Sequence, residues 1–240
     1  MSTTHSRPVR SWGDRRVAAA LLAVEGLLLF VPLGVLGSAI GWPASLDEPA
    51  AVALPRLLEN EGAVRLGYLV YLAYSVLFLP VAVWTTRTLT GGDDGPLTRV
   101  AVGFAVASTL ARCIGILRWL TAMPALAVTF AAAPEGAPRD ALAAVYDALN
   151  DFGGGVGELL GVSLFAVGWL ACTLAAARRT GATRGWLLAA GGAVVVALAL
   201  PLVELAGLDA GPLTAAGTTA LQLWFLAAAV VVGRGRAGAR

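Results

Sequence analysis

The chain contains no lysine, so all 17 of its basic residues are arginine. Without lysine, no Schiff base to retinal or pyridoxal phosphate can form on it. Histidine is confined to His5 in the polar N-terminal tail. That leaves the apolar body without an imidazole for a haem ligand, a zinc site or a Ser–His–Asp triad. No H-E-x-x-H, G-x-S-x-G or G-K-[ST] phosphate-loop pattern occurs, and no cofactor or metal is implied. The two cysteines, Cys113 and Cys172, lie in apolar runs without C-x-x-C spacing. They read as small core residues rather than a redox pair. Charge is also scarce, at 13% of residues against about 25% in soluble domains. Hydrophobic residues make up 58% and the mean hydropathy is +0.78. One soluble core cannot hide so much apolar surface behind so little polar surface, whereas a bilayer removes the need. Richness in Ala, Gly and Arg points to a bacterial source.

What is present is a succession of long hydrophobic runs. A membrane-spanning helix needs about 20 mostly apolar residues, and six stretches qualify: about 17–40, 66–87, 100–123, 153–177, 185–206 and 212–233. The fold class expected is all-α, a polytopic transmembrane helix bundle forming a single membrane domain over 1–240. The first run is read as an uncleaved helix, because it contains Glu25 and shows no small-x-small cleavage pattern before Trp42-Pro43. Trp12, Trp42, Trp84, Trp119 and Trp186 fall near expected interfaces, where an amphipathic ring is favoured.

Arginine placement sets an expected orientation. Arg7, Arg10, Arg15 and Arg16 precede the first span; Arg87 and Arg99 flank the second loop. Arg178, Arg179 and Arg184 lie in the fourth loop, and Arg234, Arg236 and Arg240 in the C-terminal tail. The alternate connections hold Arg56, Arg65 and Arg139. The positive-inside rule makes the first set cytoplasmic, with both termini inside a bacterial cytoplasmic (inner) membrane. Asp47, Glu48, Glu59, Glu61, Glu135, Asp140, Asp147, Asp151 and Asp209 gather on the other side. The outer connection from Gly41 to Arg65 contains a helix start at Asp47-Glu48-Pro49. It reads as a short amphipathic helix with Val52, Leu54, Leu57 and Leu58 on the membrane surface and Glu59 and Glu61 in water.

Ionisable side chains inside a bilayer are costly and face protein or a watery cavity. Glu25, Arg112, Arg118 and Glu158 are such groups. With a rise of about 1.5 Å per residue, Arg118 and Glu158 fall at a shared depth and are expected to pair. Arg112 is the deep cation available to Glu25. Asp140, Asp147, Asp151 and Glu158 repeat at helical spacing, as one acidic stripe if the fourth helix begins before the membrane. The wet face of an amphipathic extension explains Asp140 and Asp147 equally well. Asp147-x-x-x-Asp151 lacks the second acidic motif that a magnesium-diphosphate prenyltransferase needs. The cluster Gly153-Gly-Gly155-Val-Gly157 permits close helix packing or an opened helix. Tyr68, Tyr71 and Tyr74 read as an interfacial belt or as a ligand-facing wall.

Arg112-x-x-Gly115-x-x-Arg118-Trp119, followed by Pro124-x-Leu126-Ala127 and then by Gly157-Glu158, resembles a family of bacterial integral membrane proteins known only as a domain of unknown function. The motif-bearing part is about residues 110–170. The resemblance implies six helices and importance for Arg118 and Glu158; it implies no activity, substrate or cofactor.

Two functional expectations stand side by side. One is a small carrier or ligand-binding protein whose site is lined by Glu25, Arg112, Arg118, Asp151 and Glu158. Its guanidinium groups would hold a carboxylate or phosphate and a protonatable Glu would couple binding to pH. The other is a non-catalytic accessory or regulatory protein in which those charges only fix helix packing. An enzyme acting on lipid or isoprenoid ranks below both. The partners expected are the lipid bilayer and a small-molecule, ion or lipid ligand, with no nucleic acid; no protein partner is indicated.

Overall fold

A computed structural model describes residues 12–181, 183–208, 210 and 213–234. His5, Arg7, Arg10, Asp209, Arg236, Arg240 and the side chain of Trp12 lie outside the described part. Among the described residues there is no strand. Six helical stretches are long and apolar enough to cross a membrane: Arg15–Ile40, Glu61–Leu89, Pro96–Ala132, Ala137–Thr180, Gly185–Ala206 and Leu213–Gly233. Leu27, Leu110, Ile114, Val128, Val196 and Leu223 are each more than half exposed around the outside. Such a belt suits acyl chains and not water. The chain is a multi-pass helical membrane protein.

Proline breaks two of the six stretches by the same physics. Pro32 offers no N–H to the Leu28 carbonyl, and the first span divides at Leu29 into α1 (Trp12–Leu28) and α2 (Phe30–Ile40). Pro124 offers none to Leu120, and the third divides at Thr121 into α5 (Pro96–Leu120) and α6 (Ala122–Ala132), with α3 (Ala50–Glu59) and α4 (Glu61–Leu89) between these pairs. The third stretch therefore runs well past the expected 123. The fourth does begin before the expected 153. It comprises α7 (Ala137–Gly154), a π-helical segment Gly155–Ala166 and α8 (Val167–Thr180). After α9 (Gly185–Ala199) the chain tightens into a 3₁₀ segment, Leu200–Ala206, and α10 (Leu213–Gly233) completes the set.

Each span packs against the next in sequence, and α10 closes on α1. A Cβ at Gly26 would meet Leu226 and the Gln222 carbonyl, while one at Gly233 would meet Ala19. The two helices thus run antiparallel, and the start of α1 lies beside the end of α10. At that end, Thr183 Oγ1 donates to the Leu89 carbonyl at 2.7 Å, tying the turn after α8 to the end of α4. The α4–α5 turn uses Gly91 and Gly92 at φ of 75° and 82°, a left-handed pair that side-chain-bearing residues rarely adopt.

The opposite end is capped by α3, α6 and α7. The expected surface helix is present as α3, but its apolar face does not lie on the membrane. Leu54 and Leu57 are buried in a cluster with Met123, Leu126 and Phe130 of α6. Val52, Glu59 and Glu61 stay exposed. Because α6 supplies protein surface beside α3, burial there removes more apolar area from water than a place at the interface would.

The core is split in two. One apolar cluster includes Leu22, Phe78, Ala105, Ala166, Trp169 and Phe225. The other includes Leu36, Tyr68, Ile116, Trp119 and Tyr146. Between them, on successive helices, come Glu25; Tyr71, Tyr74 and Ser75; Ser108 and Arg112; and Gly157 to Ser163. A polar layer therefore crosses the bundle between two greasy ones.

Candidate functional site

The layer is built on glycine. Gly153, Gly157 and Gly161 recur every fourth residue and face α5. A Cβ at Gly157 would lie 3.2 Å from Gly115 Cα, and one at Gly115 would lie 2.8 Å from both the Gly153 carbonyl oxygen and Gly157 Cα. A Cβ at Gly161 would lie 2.8 Å from Arg112 Cγ, and one at Gly153 would collide with the Arg118 guanidinium. Two backbones can approach so closely only without side chains. This contact sets the register: Arg118 opposite Gly153, Gly115 opposite Gly157 and Arg112 opposite Gly161. The glycine cluster thus acts in packing, with Gly161 as a further member. Ser108 Oγ donates to the Gly161 carbonyl at 2.6 Å and fixes the π-helical wall to α5.

That register places Glu158 about halfway between the two arginines, not level with Arg118. Arg112, Arg118 and Glu158 line one cavity of about 30 Å³, together with Trp42, Leu46, Tyr68, Tyr71, Gly115 and Trp119. The space suits about two water molecules, or the two oxygens of one carboxylate. The expected Arg118–Glu158 ion pair is not made. Ion pairs do form elsewhere, at Arg56–Glu48, Arg99–Asp94 and Arg139–Glu135, all outside the layer. The expectation set position 153 level with position 123, whereas both helices run on beyond those bounds and Gly153 lies opposite Arg118, five residues earlier, so Glu158 sits deeper than Arg118. It lies within electrostatic reach of Arg118, and also of Glu204 and Asp47.

Arg118 donates to Asn150 Oδ1 at 3.3 Å, and Asn150 Nδ2 donates to the Leu46 carbonyl at 2.7 Å. Its guanidinium lies 5.6 Å from the Trp119 ring centre, while its Nε has no partner. Arg112 is 5% exposed. It lies over the rings of Tyr74 and Phe78, at 4.6 and 4.9 Å from their centres, and its Nε is also unpartnered. Cation–π contact offsets part of the desolvation of a guanidinium, but it satisfies no N–H. The expected Glu25–Arg112 pair is likewise not made within ion-pair distance. Glu25 is fully buried and both carboxyl oxygens lack a partner. Gln222 Nε2 donates to Tyr74 Oη at 2.8 Å while its own Oε1 is unpartnered.

Of the five expected site residues, Arg112, Arg118 and Glu158 meet at the cavity. Glu25 lies behind Arg112 and does not line it. Asp151 is exposed and apart from it, as are Asp140 and Asp147. The acidic stripe therefore stops at the surface. The tyrosines do not form an interfacial belt: Tyr68 and Tyr74 are buried, and Tyr68 and Tyr71 face the cavity. Trp119 is no interfacial anchor either; it is 5% exposed and stacks on Tyr68 at 5.2 Å with rings nearly parallel.

Residues 17–229, a range reaching from α1 into α10, match a family described as a domain of unknown function, DUF4386. The chain belongs to the DUF4386 family. No curated protein and no solved structure matches it. Within this DUF4386 chain, sequence reasoning missed Asn150 and Gln222 as partners of the layer. Gln222 had left a signal, an amide alone inside the last apolar run. Asn150 had none, since it sits in a helix whose carboxylates Asp140, Asp147 and Asp151 face outward.

Proposed function

We propose that this multi-pass membrane protein, placed in the bacterial cytoplasmic membrane, is a small carrier that binds an oxyanion, a carboxylate or phosphate group, between Arg112 and Arg118. One observation carries the reading: two guanidinium groups and one carboxylate line a single cavity without any ion pair among them. A buried cation without a counter-charge costs several kcal/mol, and an anion between the arginines relieves that cost with charge-assisted hydrogen bonds. Glu158, halfway between them, supplies the counter-charge across the cavity when no anion is bound. The position of the layer between two apolar clusters suits a carrier, whose site must be reached from either side in turn.

A second reading has its own support. Arg118 fills the notch at Gly153 and bonds Asn150, which a purely packing role also explains. Thermal unfolding of the purified protein separates the two. At about a hundred times the dissociation constant, acetate or inorganic phosphate should add about 2.7 kcal/mol over chloride of equal ionic strength, and Arg112→Gln should abolish the gain. In nanodiscs, phosphatidic acid producing the effect while free anions do not would identify a lipid head group as the source. No anion-dependent stabilisation from either source would discard the carrier reading in favour of packing.

A further inference from the structure

The cavity leaves one member of the polar layer unused. Glu25 is enclosed on α1, which packs against α2, α4 and α10. Neither α2 nor α10 carries an ionisable residue. From α4 the group facing it is Tyr74, and across the layer from α5 it is Arg112. On α1 itself, Arg15 and Arg16 lie more than two turns away. Among the described residues Arg112 is thus the one cation facing Glu25, and Arg112 is also a wall of the anion cavity.

Resting on the oxyanion reading above, we propose that Glu25 is a proton-binding site coupled to that cavity through Arg112, so that an anion and a proton are taken up together. A buried carboxylate with neither oxygen hydrogen-bonded needs either a nearby cation or a proton. When Arg112 turns toward Glu25, the two charges balance. When an anion in the cavity holds Arg112, as its present pose over Tyr74 and Phe78 allows, Glu25 loses that cation. A proton from solvent then forms an O–H bond on the carboxylate and cancels its charge; release of the anion returns the proton to solvent. Only this O–H bond is made or broken. Gln222 Oε1, unpartnered on the helix packed against α1, supplies an acceptor of the kind such an acid needs.

Linkage fixes the sign. The anion-bound form holds one more proton, so anion affinity must fall as pH rises, by at most about tenfold per pH unit. The test measures acetate affinity of the purified full chain by thermal shift across pH 6–8, for wild type and for Glu25→Gln. Expected are a falling wild-type affinity and a flat, retained affinity in the variant. Acetate binding by wild type with no pH dependence, or an equal dependence in Glu25→Gln, overturns the coupling while leaving the anion site standing. No acetate binding at any pH overturns both. Should Glu25→Gln fail to fold, proton uptake by the wild type in lightly buffered solution decides. About one proton per bound acetate supports the proposal, and none rejects it.

Discussion

Two polar clusters lie inside this bundle, and they are finished very differently. Toward the end where α1 begins, Thr86 Oγ1 shares a hydrogen bond with Thr173 Oγ1 at 2.9 Å and accepts one from Trp169 Nε1 at 3.0 Å. All three residues are fully buried, all are neutral, and each of these groups has its partner. In the central layer the groups are charged, and Glu25, Arg112 and Arg118 each keep an atom without one. The same chain therefore can complete a buried polar network where its purpose is to hold helices. In a layer that exists only to pack, orphaned charges would be a net cost; in one that receives a ligand they are the receiving groups.

The contrast can be broken at several strengths. The largest effect belongs to the shared scaffold: Gly115→Val drives a side chain into the Gly153 carbonyl and Gly157 Cα. It should cost about 3 kcal/mol or more, measured by unfolding in mixed detergent. Next comes the completed cluster. Thr86→Val strands the Trp169 N–H and the Thr173 hydroxyl and should cost about 1–3 kcal/mol by the same measurement. With acetate bound, when Glu25 carries a proton, Glu25→Gln should change stability by less than about 1 kcal/mol, because a neutral group replaces a neutral one and no hydrogen bond is lost; a loss as large as that of Thr86→Val would erase the difference between the clusters. Asp151→Asn, at the surface, should alter neither stability nor the acetate-induced shift. A clear change in that shift would bring Asp151 back into the site.

The spans were legible because apolar length is a strong signal. That Arg112 and Arg118 turn into the bundle and not outward was also readable. Their partners were not. Whether Glu158 touches Arg118 depends on which glycine of the fourth span meets which residue of α5, and on the winding from Gly155 onward, which no residue pattern announces. The aromatic residues misled for a related reason. Tyr68 and Trp119 lie near the end of the apolar run, where an interfacial ring is the usual reading, and only the presence of α3, α6 and α7 over that end turns them inward. Hydropathy reports what borders lipid in the chain; it does not report what later segments fold back to cover.

Because α10 returns alongside α1, with Gly233 beside Ala19, the bundle is topologically a ring that happens to be cut there. A short flexible tether could join the two ends, and fresh ends opened at Gly91-Gly92 would leave every helix pair intact. A circularly permuted protein of that design would insert its helices in a new order while keeping the Arg112–Glu158 wall as adjacent segments of one chain.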